Sequence, residues 1–132
     1  MKKAQLVYSI ICDDVRIEMG NKLSLMGVFE NIFFQGFPSA LLKFSIVNHW
    51  VGNGSFETHV KILAPDRKEV VVSAPSKFSI EVAGYADNVT FFTNVNFERP
   101  GSHIVQIYLD GNIAAERPLY IHHVPAPPAT VN

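Results

Sequence analysis

The densest group of side chains able to do chemistry is Asp13, Asp14 and Glu18, three carboxylates within six residues. Hard cations such as calcium gather carboxylate and carbonyl oxygens from neighbouring loops, so this group suggests a cation or small-ligand end. The competing reading is local. On a strand, adjacent side chains point to opposite faces, so Asp13 and Asp14 diverge and bond turn amides or pair with Arg16 and Lys22. No EF-hand spacing accompanies them, and no metal site is assigned.

Cys12 precedes two aspartates. A reactive thiolate is favoured by nearby positive charge, whereas carboxylates raise the thiol pKa; the residue reads as a small buried hydrophobe. His122 and His123 are adjacent and so point to opposite sides of a strand, which separates them as metal ligands. His49 and His59 share an outer face, and His103 stands alone near a loop. The chain has no nucleophile elbow, phosphate-binding glycine loop or His-Glu-x-x-His helix, so no catalytic residue is assigned and a non-enzyme is expected. The run Ile32-Phe33-Phe34-Gln35-Gly36-Phe37 is apolar on both faces. It either lies under other strands or exposes a patch for a partner, which makes Phe34 and Phe37 binding candidates.

The elements that must position these residues follow from composition and period. A chain of 132 residues with 48% hydrophobic and 17% charged residues fits one domain with a substantial core. Its formal net charge of −1, without a run of one sign, lacks the basic stripe that phosphate binding requires, which argues against nucleic acid as a partner. One cysteine excludes an internal disulfide framework and is consistent with a cytoplasmic location. The opening Met1-Lys2-Lys3 and apolar stretch lacks a small-residue cleavage site and reads as a first strand. No run reaches the roughly 18 apolar residues of a membrane helix, so no membrane role is assigned.

Period two dominates. Phe56, Thr58, Val60 and Ile62 alternate with polar residues, as do Phe78, Ile80 and Val82, and then Val89, Phe91, Thr93, Val95 and Phe97. The segments Ala4–Asp13 and Lys22–Gln35, apolar on both faces, read as central strands. Glycine and proline clusters punctuate the runs, at Gly52-Asn53-Gly54, Gly84–Asn88, Arg99-Pro100-Gly101 and Asp110-Gly111-Asn112 among others. Face matching predicts a hairpin with a three-residue Gly52-Asn53-Gly54 loop, pairing Trp50 with Phe56, Ile46 with Val60, Phe44 with Ile62, and setting His49 opposite Glu57. For the closing hairpin, face matching of Leu109 with Ile113 favours a three-residue turn and the Asp110-Gly111 dipeptide favours two; the choice stays open. The proline-rich segment 125–132 reads as an extended tail behind a single domain over 1–124.

The stretch Ile11-Cys12-Asp13-Asp14-Val15-Arg16, with Glu18, Gly20, Lys22, Ser24-Leu25 and Gly27-Val28-Phe29, and the later Pro100-Gly101 and Leu109-Asp110-Gly111, resembles a family of short uncharacterised bacterial proteins. The resemblance covers residues 4–124 and implies a β-sandwich, immunoglobulin-like or similar, with no transferable reaction or cofactor.

The expectation is an all-β protein, an antiparallel two-sheet sandwich of immunoglobulin-like or jelly-roll-like type with eight or nine strands. Its expected role is a non-catalytic protein-interaction or scaffold module, with a protein partner or homo-oligomerisation. The alternative is a small-ligand sandwich for a carbohydrate or a cation at Asp13, Asp14 and Glu18; a hydrolase ranks below both. No cofactor is expected.

Overall fold

Runs of Val, Ile, Phe, Tyr and Thr with period two give strands wherever the chain is regular, and a computed structural model, which describes residues 2–126, is all-β. Its eight strands are β1 (Lys3–Glu18), β2 (Lys22–Val28), β3 (Asn31–Phe34), β4 (Ser39–Leu63), β5 (Glu69–Val72), β6 (Ser76–Phe97), β7 (Gly101–Leu109) and β8 (Asn112–His123). They join through hydrogen bonds into one sheet with the path β2-β1-β4-β7-β8-β3, while β5 and β6 also pair with β4. All pairings are antiparallel except β3 with β8, which is parallel. The wholly antiparallel arrangement expected from the sequence is corrected at that point.

The second correction concerns the predicted hairpin. No turn forms at Gly52-Asn53-Gly54: β4 continues through it without a break, and β6 continues through Gly84–Asn88. The two sites are partners. Gly52 pairs with Gly84 and Gly54 with Ile80, so Glu81, Val82 and Ala83 on β6 stand opposite Asn53 alone and the ladder shifts there. A Cβ on Gly52 would strike the Lys3 carbonyl, and one on Gly84 would meet the Glu81 carbonyl oxygen at 2.9 Å. Glycine thus serves a bulge and a close backbone approach inside a long two-stranded ribbon, where the sequence pattern suggested a chain reversal. Trp50 consequently pairs with Leu6 and Ala86 rather than Phe56, and His49 with Tyr8 and Asp87 rather than Glu57.

The open question at the closing hairpin resolves in favour of two residues. Leu109 pairs with Asn112 across Asp110-Gly111, and both turn residues have positive φ (49° and 81°), as a type I′ turn requires. The face mismatch is absorbed by a bulge: Tyr108 pairs with Ile113 but Ile107 with Ala115, leaving Ala114 as the extra residue.

Either side of the bulge at Gly52–Gly54, β4 sends inward residues to the same buried cluster. Phe44, Ile46 and Trp50 come from its first part and Phe56, Val60 and Ile62 from its second, joined by Ile11, Phe92, Val105, Ile107, Leu119 and Ile121. Burying each such side chain is worth roughly 1.5–3 kcal/mol relative to exposure. The alternation read along β6 breaks at Asn94 (φ 52°). Val95 and Phe97 are buried as expected, yet Phe92 rather than Phe91 is inside beyond the break. The segment Lys22–Gln35 is likewise no central strand: it divides into β2 and β3, which end the sheet path on either side.

Candidate functional site

The acidic group does not converge. Asp14 accepts from the Val15 amide and meets Lys43 Nζ at 3.4 Å. Its carboxyl is held below the usual range chiefly by that amide, then by Lys43. Asp13 lies on the opposite face of β1, where its carboxylate occupies the space a Cβ on Gly27 would need. Glu18 pairs across the sheet with Lys22 at the far end of β1. Among the described residues no group of three or more His, Cys, Asp or Glu is gathered as metal ligands. The alternation of a strand separates what the sequence set side by side.

Cys12 is buried, and burial raises its thiol pKa, with the charges of Asp13 and Asp14 adding to the rise against the lowering effect of the Asp14 carbonyl. The adjacent histidines diverge: His122 stacks on Phe33 and meets Asn31 Oδ1 at 2.7 Å, while His123 packs near Phe37. His103 is not an open-loop histidine but is 1% exposed. Its Nδ1 lies 3.1 Å from the Gly101 carbonyl, which accepts a hydrogen bond from the ring N–H, and burial holds its pKa below the ordinary value. Phe34 and Phe37 meet edge to face at 5.7 Å, and both pack against the core. The exposed member of that run is Phe33.

The outer face of β1, β4 and β6 is the unusual surface, and the sequence reading missed it because the register between distant strands assembles it. Four rows cross it. Tyr8, His49 and Asp87 form the first, and Ile10, Val47 and Val89 the second. Val28 on β2, Cys12, Ser45 and Phe91 form the third. Asp14 and Lys43 close the face. Val47 is fully buried on this outer side, while Val28 and Phe91 are 62% and 63% exposed. At the opposite end His49 is stacked between Tyr8 and Tyr85 at 4.8 and 5.3 Å and bonds Asp87 through Nδ1 at 2.6 Å. On the reverse, inner side a polar row, Ser9, Asn48 and Asn88, crosses the same strands. Trp50 Nε1 donates to Asn88 Oδ1 at 2.6 Å, while the buried Asn48 amide has no hydrogen-bond partner among the described residues.

A second feature is an open cleft of about 900 Å³ between the start of β1 and the β7–β8 hairpin. Leu6, Trp50, Phe56, Leu109 and Ala115 line it, with Lys3 and Arg117 contributing positive charge.

With the geometry in view, relatives define the chain's place. Residues 7–122 match the model of DUF6941, described as a family of unknown function, and the chain belongs to that family. No curated protein matches it. Among solved structures, it is similar to part of the Pseudomonas fluorescens alkylpurine DNA glycosylase AlkC, bound to DNA containing an abasic site analog. The TM-score is 0.59 and the identity 8%, over 92% of this chain and 31% of that one. It is also similar to part of a β-glucosidase from Listeria innocua in complex with isofagomine, with TM-score 0.56 and 8% identity, over 95% of this chain and 17% of that one. The chain therefore spans less than a third of either protein, and the likeness concerns fold alone.

Proposed function

We propose that the protein is a non-catalytic protein-interaction module that works through the outer face of β1, β4 and β6, and that the occupant of this face is a second copy of the chain. The supporting observation is the surface itself: exposed Val28 and Phe91 flank covered Cys12 and Ser45, beside the apolar row Ile10, Val47 and Val89. Val28 and Phe91 hold large apolar side chains in water on either side of that covered strip, and exposed apolar surface of this kind marks interaction sites. Its two ends carry side chains already bonded to each other, the Asp14–Lys43 ion pair and the His49–Asp87 hydrogen bond. A two-fold-related copy laid across it sets the Asp14–Lys43 end of one chain against the His49–Asp87 end of the other, so Asp87 of one does not face Asp87 of the other.

This reading includes a finer view of the fold. The sheet doubles back at the Gly52/Gly84 bend into two facing layers, an immunoglobulin-like sandwich in which β4 and β6 serve both. The single core drawn from both parts of β4 supports it, as does the general rule that strands change layer at bulges and bends. The buried free Cys12 is consistent with a reducing, cytoplasmic setting. No helix among the described residues is long and apolar enough to cross a membrane.

Sedimentation velocity across a concentration series tests the assignment. The unaltered protein is expected to form dimers at micromolar concentrations, and Phe91→Glu to sediment as a folded monomer. A wild-type protein that remains monomeric at about 100 μM, or a Phe91→Glu variant with unchanged association, rejects the second copy as occupant.

A further inference from the structure

The cleft beside β1 is a seam between two unpaired strand edges. Within β1, β2 pairs only from Cys12 onward, so Lys3 to Ile10 have a neighbour on the β4 side alone among the described residues. Within β8, β3 joins only at Tyr120, leaving Asn112 to Leu119 paired with β7 alone. Residues 2–8 of the first edge and 112–115 with Arg117 of the second line the same cleft.

The chain itself shows what this seam holds. At its far end the β2–β3 connection crosses from one edge to the other: the Phe29 amide donates to the Ile11 carbonyl at 3.0 Å, and the Tyr120 amide donates to the Glu30 carbonyl at 2.8 Å. A short stretch of main chain is thus already bonded to both walls. Toward the cleft no further strand among the described residues continues this filling.

Chemistry selects the occupant. In the register of β4, β7 and β8, Arg117 stands in one row with Ile62 and Val105, both fully buried, so its side chain belongs to the core-facing side. It lines both the cleft and the narrow gap behind it and has no ion-pair partner among the described residues. The cleft's one carboxylate, Asp110, is taken by Lys2 at 2.9 Å. The uncompensated charge is therefore positive, from Lys3 and Arg117, above an apolar floor.

We infer that this seam is a binding site for an extended peptide segment of alternating apolar and acidic residues, added as a strand between the β1 and β8 edges. Main-chain hydrogen bonds to the edges provide attachment, alternate apolar side chains enter over Leu6, Leu109 and Ala115, and a carboxylate meets Arg117. Bulges at Val7 and Ala114, with Pro118 further along β8, interrupt both edges. They limit pairing to short stretches and discourage indiscriminate strand addition.

The test is selection of a random twelve-residue peptide library displayed on phage, run on the intact protein and on a Lys3→Glu/Arg117→Glu variant. Both replaced side chains are exposed, and an unchanged thermal midpoint verifies the variant's fold. Enriched peptides should alternate apolar with acidic residues and bind the variant at least tenfold more weakly. Hydrogen exchange with one selected peptide should slow at amides within Lys3–Leu6 and Ile113–Arg117. Absence of enrichment, enriched peptides that bind the variant equally, or protection located on the Phe91 face would each overturn the assignment.

Discussion

Two stretches of the same strand, β4, before and after its bulge at Gly52–Gly54, present surfaces that treat water in opposite ways. Beyond the bulge, β4 presents His59 and Lys61 beside Tyr108 and Gln106 of β7 and Glu116 of β8. There His59 stacks on Tyr108 at 4.4 Å, and the Tyr108 hydroxyl donates to Gln106 Oε1 at 2.9 Å. Gln106 Nε2 donates to Glu116 Oε2 at 2.6 Å, and Arg67 reaches the same oxygen at 3.1 Å. Gln106 first and Arg67 second hold the Glu116 carboxyl below its ordinary pKa. This is a finished surface, its polar groups bonded to one another or to solvent. Before the bulge, the corresponding positions are Ser45, Val47 and His49, flanked by Val28 and Phe91. The difference teaches that strand pattern alone does not decide which face is wet, because a sheet face takes its character from residues brought beside it by neighbouring strands.

The largest effect expected of this comparison comes from Val47, which lies fully buried although on the outer side. Val47→Asp places an unpaired carboxylate among Ile10, Val89 and the stacked aromatics, and should destabilise the protein by about 3–5 kcal/mol or prevent folding. Urea denaturation measures it. A cost below about 1 kcal/mol would mean that this face is as hydrated as the other.

Acid response comes next, and it separates the buried interior from both faces. His103 has its folded-state pKa depressed below the ordinary 6.5, mainly by burial. The unfolded chain therefore binds a proton before the native state does, so stability is complete above about pH 7 and declines as pH falls through 6.5 toward the folded-state pKa. The depressed carboxyls Asp14, Asp66, Asp110 and Glu116 act in a lower window, contributing above their ordinary values near 4 and losing that contribution as pH falls through their folded-state pKa values. Urea midpoints should fall between pH 7.5 and 5.5 for the unaltered protein and fall less for His103→Phe. An equal slope in the two proteins would remove His103 from the account.

The smallest effect belongs to the finished polar face. Arg67→Ala removes an ion pair whose partners are both well exposed, and should change stability by less than about 0.5 kcal/mol, with the difference vanishing in high salt. A loss several times larger would show that the network around Glu116 acts as a unit and is not a simple solvated surface.

The divergence of Asp13 and Asp14 follows from strand alternation and was legible from residue order. The raised pKa of Cys12 comes first from burial, and the charges of the two neighbouring carboxylates, which the sequence displays, add to it. The burial of Trp50 and of Phe56, Thr58, Val60 and Ile62 was also readable from period two. The seam and the apolar outer face were not, since Val28, Cys12, Ser45 and Phe91 lie in distant parts of the chain and meet only through register. His103 gave no sign of burial, because its inward position depends on where β7 sits against β4 and β8. The proline-rich tail expected over 125–132 lies, from residue 127 onward, outside the described residues.

What the sequence by itself determined is the all-β class, the inward set over much of each strand, and the chemistry of the turns. Those are short-range consequences of alternation and backbone preference, complete within a few residues. Tertiary structure alone decided whether a glycine pair ends a strand or forms a bulge within it, for the same lack of a Cβ serves both. Gly52 and Gly84 became a bulge because each lies opposite the other in a ribbon paired on both sides of it, where a local reversal would have broken the ladder and stranded Trp50 away from Leu6, Ala86 and Asn88.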